Sequence, residues 1–113
     1  METAIKIEAL DELRSLMGDS LDEVLQTFID YVPGQIDELS TAVMNEDAEG
    51  VFNLAHKMKS SSSSIGALGL AQMAEQIELI GRSGSTEGTD ELLEKLKGMY
   101  SDAEALLREQ LKK

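Results

Sequence analysis

His56 is the only histidine of this 113-residue chain, and there is no cysteine. An imidazole has an ordinary pKa of about 6.5, so near neutral pH it offers a neutral, nucleophilic nitrogen. Between Ser15 and Gly81 the only basic residues are Lys57 and Lys59, which flank His56 in a chain of 22 acidic and 10 basic side chains. Ammonium groups there disfavour the imidazolium, while local carboxylates oppose that effect. The same cations suit an anion carried on the ring: a phosphoryl group brings close to two negative charges and needs cationic or hydrogen-bonding partners. Lys59 is the better placed of the two, because residues at i and i+3 of a helix have Cβ atoms about 5–6 Å apart.

Other chemistry is poorly served. A single His without Cys argues against the usual nucleophile triads and leaves a poor transition-metal site, so neither metal nor cofactor is expected. No P-loop is present, and Gly81, Gly84 and Gly88 fit no nucleotide motif. Such a chain should not phosphorylate itself from ATP; its phosphoryl group must come from another protein. The bland alternative is a lone surface histidine with two lysines beside it by chance.

The elements that must position His56 read as helices. Apolar residues recur with a helical period nearly everywhere, and no stretch alternates like a strand. Ile7, Leu10, Leu13 and Met17 suggest a short first helix stopped by Gly18. Asp19 or Ser20 can cap the next, with Asp22 and Glu23 in its first turn. Its stripe runs Leu21, Leu25, Phe28, Val32, Ile36, Leu39 and Val43 and keeps phase across Pro33, which predicts one kinked helix; a break at the proline is the alternative. Asp47 caps a third helix that carries His56, ending at Gly66 or Gly69. A fourth carries Leu70, Met73, Ala74, Ile77 and Ile80. The run 81–88 is a loop by composition. Thr89 or Asp90 caps a last helix with Leu92, Leu96, Met99, Ala103 and Leu106 on its apolar face. The expected fold is all-α: an antiparallel up-down four-helix bundle over 19–111, preceded by a short helix within 1–18, in one domain spanning 1–113. The serines at 60–64 could instead link two domains, but each half would then be too small to cover its own apolar stripes.

On a helical wheel at about 100° per residue, Val51, Leu54, Met58 and Ile65 fall within about 60° of one another, and His56 lies about 160° from their centre. The histidine therefore faces away from the core. Ser60 lies one turn further along the same face, Lys59 and Ser63 share that side, Phe52 precedes by one turn, and Lys57 projects to the flank. Small polar neighbours leave the ring open to a docking protein, with Phe52, Lys57, Ser60 and Ser63 as the docking surface.

Composition narrows the partners. A net charge of −12 repels phosphate backbones and anionic lipid, so neither nucleic acid nor membrane is expected. The N-terminal residues lack the pattern of a signal peptide, and no apolar run approaches the roughly 20 residues that span a bilayer. A monomer in the cytoplasm is the expectation.

The run Ala55-His56-Lys57-Met58-Lys59-Ser60-Ser61, then Gly66-Ala67 and Leu70, resembles the signature of the histidine-containing phosphotransfer (HPt) family, roughly Ala-His-x-Leu-Lys-Gly-Ser followed by Gly-Ala and Leu. Ile77-Glu78 and Arg82 resemble the family's Leu-Glu and Arg, and Phe28 and Asp47 match its spacing. The likeness covers about residues 21–82; the last helix matches in pattern only. It implies a four-helix bundle, His56 as the phosphorylated residue and Lys59 as the phosphate-side cation. It also implies receiver domains of response regulators or hybrid sensor kinases as partners. Ser60 departs from the family's Gly, which puts docking closeness and partner choice in doubt, and Met58 for Leu is a conservative core exchange. Two other readings stay open. Gly18-Asp19-Ser20-Leu21-Asp22 looks like the attachment site of an acyl carrier protein, although a helix N-cap accounts for it equally. An HPt-like module could also dock on receivers without transfer.

Overall fold

The computed structural model describes residues 5–111. Five helices follow one another: α1 (Ile7–Met17), α2 (Ser20–Met44), α3 (Ala48–Ser64), α4 (Leu68–Arg82) and α5 (Thr89–Leu111). No strand occurs among the described residues. Each of α2 to α5 packs on the next and α5 returns to α2, closing a four-helix ring; short links at 45–47, 65–67 and 83–88 make consecutive helices antiparallel. The core is apolar, with Leu10, Leu21, Leu25, Leu39, Val51, Met58, Ile77, Leu96 and Leu107 inaccessible to solvent. Helix α1 closes one end: Leu10 is buried there, and Arg14 holds the α1–α2 turn by donating to the Gly18 carbonyl at 3.0 Å and to Asp22 at 2.8 Å.

Several boundaries follow from single residues. Gly18 ends α1 with φ +58 and Gly66 ends α3 with φ +75, conformations that a Cβ disfavours. The Asp47 side chain accepts from the Gly50 N–H at 3.0 Å and caps α3. The expected cap at Asp19 or Ser20 is not made by a side chain. Asp19 is itself near-helical and offers no side-chain bond, and the first turn is held by backbone bonds to the Gly18 and Asp19 carbonyls. At α5, Thr89 is the first helical residue, and its hydroxyl donates back to the Thr86 carbonyl at 2.6 Å.

Helix α2 runs unbroken through Pro33. Proline has no N–H, so the Ile29 carbonyl loses its usual i+4 donor. The Tyr100 hydroxyl of α5 stands 3.5 Å from that oxygen, at the outer limit of a hydrogen bond, and is placed to replace the lost donor. The serine run is helix and not a linker: α3 continues to Ser64, and Ser62 is buried within it.

Two stripes are centred differently from the sequence reading. In α3 the buried line is Val51, Ala55, Met58, Ser62 and Ile65, with Leu54 only half-buried at its flank. In α5 it is Leu93, Leu96, Tyr100, Ala103 and Leu107, while the expected Leu92, Met99 and Leu106 are partly covered. Val43 of α2 and Ile80 of α4 are likewise only half-buried.

Candidate functional site

The site lies on the α3–α4 seam, and Gly81 sets how tight that seam is. A Cβ at Gly81 would stand 2.7 Å from the backbone nitrogen of Phe52 and 2.9 Å from the Ala48 carbonyl. Only a residue without a side chain lets the two backbones come so close. The contact fixes the register in which Glu78 and Arg82 of α4 face Phe52, His56 and Lys59 of α3.

Glu78 occupies the buried phase of α4, beside Ile77 and one turn after Ala74, and is inaccessible to solvent. A buried carboxylate needs partners. His56 Nδ1 lies 2.9 Å from Glu78 Oε2, and Lys59 Nζ lies 2.8 Å from Oε1. Arg82, a turn further along α4, approaches Oε2 at 3.5 Å. Burial pushes the Glu78 carboxyl up, but the hydrogen bonds and charges of Lys59 and His56 outweigh it and hold the group below the usual carboxylate range. Glu78 is therefore ionised near neutral pH.

An ionised carboxylate can only accept. His56 must carry a proton on Nδ1 to make this bond, so in the neutral ring the Nε2 lone pair is free. The ring is anchored from beneath yet 55% of its side chain is exposed, so the free nitrogen sits on the open edge. Phe52 completes the support: its ring stacks on the imidazole with centroids 6.1 Å apart and planes inclined by 22°. The Arg82 guanidinium in turn lies over the Phe52 ring, 5.7 Å from its centroid.

The residues singled out from the sequence fall on two sides of this network. His56, Lys59 and Phe52 are joined in it. Ser60 and Ser63 are exposed and line, with Lys59, Leu68, Ala71 and Glu75, a groove between α3 and α4. Lys57 is exposed at the flank. Sequence reasoning noted Glu78 and Arg82 only as points of family likeness and gave neither a role. The available signal was a carboxylate in phase with the apolar stripe of its own helix. Among the described residues no cluster of His, Cys, Asp or Glu is suited to hold a metal ion, and no helix is long and apolar enough to cross a membrane.

A model of the Hpt domain matches residues 23–106. The chain belongs to the Hpt domain family. As an Hpt domain it is a phosphorelay intermediate, and the carrier-protein reading falls away; Ser20 is simply the first residue of α2. The chain is 31% identical over 78 residues to the sensor protein TorS of Escherichia coli strain K12, and 26% identical over 97 residues to that strain's aerobic respiration control sensor protein ArcB. These alignments cover 68% and 85% of this chain but only 8% and 12% of those proteins, so the chain spans about a tenth of their length. The crystal structure of histidine-containing phosphotransfer protein B (HptB) from Pseudomonas aeruginosa PAO1 superposes with a TM-score of 0.90 over 99% of this chain and 97% of that one. At 23% identity that likeness is one of fold.

Proposed function

We propose that His56 Nε2 is the phosphoryl acceptor of this Hpt domain and that its exchange partners are aspartyl phosphates on receiver domains. The supporting observation is the 2.9 Å contact between His56 Nδ1 and buried Glu78, which in the neutral ring leaves the opposite nitrogen as the free lone pair. The Nε2 lone pair attacks phosphorus, the bond from phosphorus to the aspartyl oxygen breaks, and the carboxylate leaves with the electron pair. No proton need move in that step. The ring becomes a phospho-imidazolium whose Nδ1–H faces an ionised carboxylate, and the reverse step passes the phosphoryl group to the next aspartate. Lys59 and Arg82 supply positive charge beside it.

Receivers of response regulators or of hybrid sensor kinases are the partners this chemistry calls for, docking over Phe52, Lys57, Ser60 and Ser63. The named relatives are sensor proteins, which fits a donor of that kind. The chain acts as a monomer in the cytoplasm and has no kinase activity of its own, its phosphate arriving from a partner.

The test is transfer from a receiver domain phosphorylated with acetyl phosphate. The wild-type chain should gain acid-labile, base-stable phosphate, and His56→Gln should gain none while remaining folded, its side-chain amide able to donate to Glu78 in place of Nδ1–H. Phosphate uptake by the glutamine variant rules out His56 as the acceptor. Binding to the receiver without any uptake by the wild type would make the chain a docking module.

A further inference from the structure

Met44 is placed unlike the other described methionines. Met58 is inaccessible, and Met17, Met73 and Met99 pack against the core, whereas Met44 is 82% exposed. A single exposed apolar residue needs no explanation, but Met44 does not stand on an open helix face. It is the last residue of α2 and lines two adjoining grooves. One runs between α2 and α5, with half-buried Val43 and buried Leu93 in its floor; the other lies against the turn at 85–88.

The rim of these grooves is acidic. Glu46, Glu87, Asp90, Glu91 and Glu94 line them and are all exposed. Of these only Glu94 has an ion-pair partner among the described residues, Lys97 at 3.3 Å. Asp90 and Glu91 suit the positive start of α5, but Glu46 follows the negative end of α2, whose last turn holds no basic residue. The reactive edge is the reverse, since Lys57, Lys59 and Arg82 gather there.

An apolar floor framed by unpaired carboxylates selects a cationic, amphipathic occupant. Apolar side chains bury against Val43, Met44 and Leu93, while lysine or arginine heads reach the rim. A groove between two helices takes a third helix laid into it, one whose i, i+3, i+4 and i+7 positions share an apolar face. The flexible thioether of Met44 adapts to the side chain it meets. Nucleic acid and anionic lipid are repelled by the same field.

We propose that the end of the bundle around Met44 is a docking surface for a basic amphipathic helix of another protein. It lies on the α2–α5 side of the ring, away from the α3–α4 seam that carries His56, so this partner and a receiver can be held at once. Docking here does not depend on the role of His56.

The experiment titrates the 15N-labelled chain with a synthetic helical peptide that has leucines at i, i+3, i+4 and i+7 and lysines elsewhere. The control is a peptide of the same composition with its leucines spread around the helix. Amide signals should move at 43–46 and 85–94 and stay still at 52–60. The amphipathic peptide should bind roughly tenfold tighter than the control, because only it can bury an apolar face. Met44→Glu, a surface change that spares the fold, should weaken it by about the same factor. Glu46 separates binding from folding, being the non-glycine residue with positive φ, +55, among the described residues. Glu46→Gly should melt higher, since glycine adopts that conformation at less cost, yet bind the peptide roughly twofold more weakly. His56→Gln should bind it as the wild type does, so failure of the phosphotransfer reading would leave this result standing. Equal affinity for the two peptides would reduce the surface to its charge and overturn the proposal. Signals moving chiefly on another face, or an unchanged affinity in Met44→Glu, would overturn it as well.

Discussion

The α3–α4 and α2–α5 seams each bring a polar group into an apolar bundle, and they resolve it in different ways. On α3–α4 the group is the charge of Glu78, and its partners His56, Lys59 and Arg82 reach in from the solvent edge. On α2–α5 it is the neutral Ile29 carbonyl left without a donor by Pro33, and its partner is the Tyr100 hydroxyl, itself buried. Burial first, then the charge of Glu104 and a hydrogen bond to it, push that phenol up, so it stays protonated and able to donate. A charge cannot be satisfied wholly from within at modest cost. Its seam must therefore keep an open edge, and the open edge is where chemistry can occur. The neutral pair can be sealed, and its seam only holds the bundle together.

By that contrast, Glu78 serves reactivity more than stability. Glu78 is the fully buried member of its network, and an apolar side chain of similar volume removes that buried charge while His56, Lys59 and Arg82 stay within reach of solvent. Glu78→Leu should therefore melt at or above the wild-type temperature at pH 7 while transfer from a phosphorylated receiver falls by roughly tenfold or more, because Nδ1 loses its acceptor. Parallel melting curves and transfer rates give the answer; a fully active leucine variant would sink the tautomer argument. Acid gives the same contrast with a sign. The folded Glu78 carboxyl titrates below its unfolded value of about 4.3, so on acidification the unfolded chain takes up this proton first. The stability it contributes is complete above the unfolded value and is lost as pH falls through the folded one. Melting temperature plotted against pH should drop less steeply on the acid side for Glu78→Leu than for the wild type.

The seam can also be broken through its backbone. Gly81→Ala gains helix propensity but sets a methyl 2.7 Å from the Phe52 nitrogen. Backbone cannot swing aside as a side chain can, so α3 and α4 must part. Overpacking of this kind costs about 1–3 kcal/mol, and here it also displaces Glu78 from His56. The urea midpoint should fall and the 15N signature of the Nδ1–H tautomer should weaken together. Loss of stability with an unperturbed imidazole would mean that the register does not depend on Gly81.

These two seams were not equally legible in the sequence. The exposed placement of His56 follows from its own helix alone, since a wheel needs only the apolar residues around it, and the structure agrees. Helix ends at Gly18 and Asp47 were legible for the same local reason. The role of Glu78 was not: its contact with His56 spans 22 positions and belongs to the packing of two helices. A carboxylate next to an apolar stripe ordinarily reads as the solvated margin. The apolar face of α5 holds at Leu96 and Ala103 but is shifted by one position from Leu92, Met99 and Leu106, for a related reason. Leu92-Leu93, Met99-Tyr100 and Leu106-Leu107 are adjacent apolar pairs, and which member points inward depends on where α2 and α4 lie. Periodicity locates such a stripe without fixing its centre.

The smallest effect tests the sealed seam. Tyr100→Phe removes one hydroxyl from a buried contact at 3.5 Å and leaves the ring against Phe28, whose centroid is 6.0 Å away. A neutral hydrogen bond contributes about 0.5–1.5 kcal/mol net, and the long distance puts this one at the lower end. The informative measurement is a double-mutant cycle with Pro33→Ala. Alanine restores an N–H at position 33, which can donate to the Ile29 carbonyl in the ordinary helical way. Once that carbonyl has its own donor, the tyrosine hydroxyl has less to supply. Tyr100→Phe should therefore cost measurably less in the Pro33→Ala background than in the wild type, a positive coupling readable from urea midpoints at constant m-value. Phosphotransfer should be the same in all four proteins, because neither residue touches the α3–α4 seam. Equal cost in both backgrounds would show that the hydroxyl is not the proline's substitute donor. A change in transfer rate would show that the two seams are coupled, and the separation of a reactive edge from a sealed one would fail.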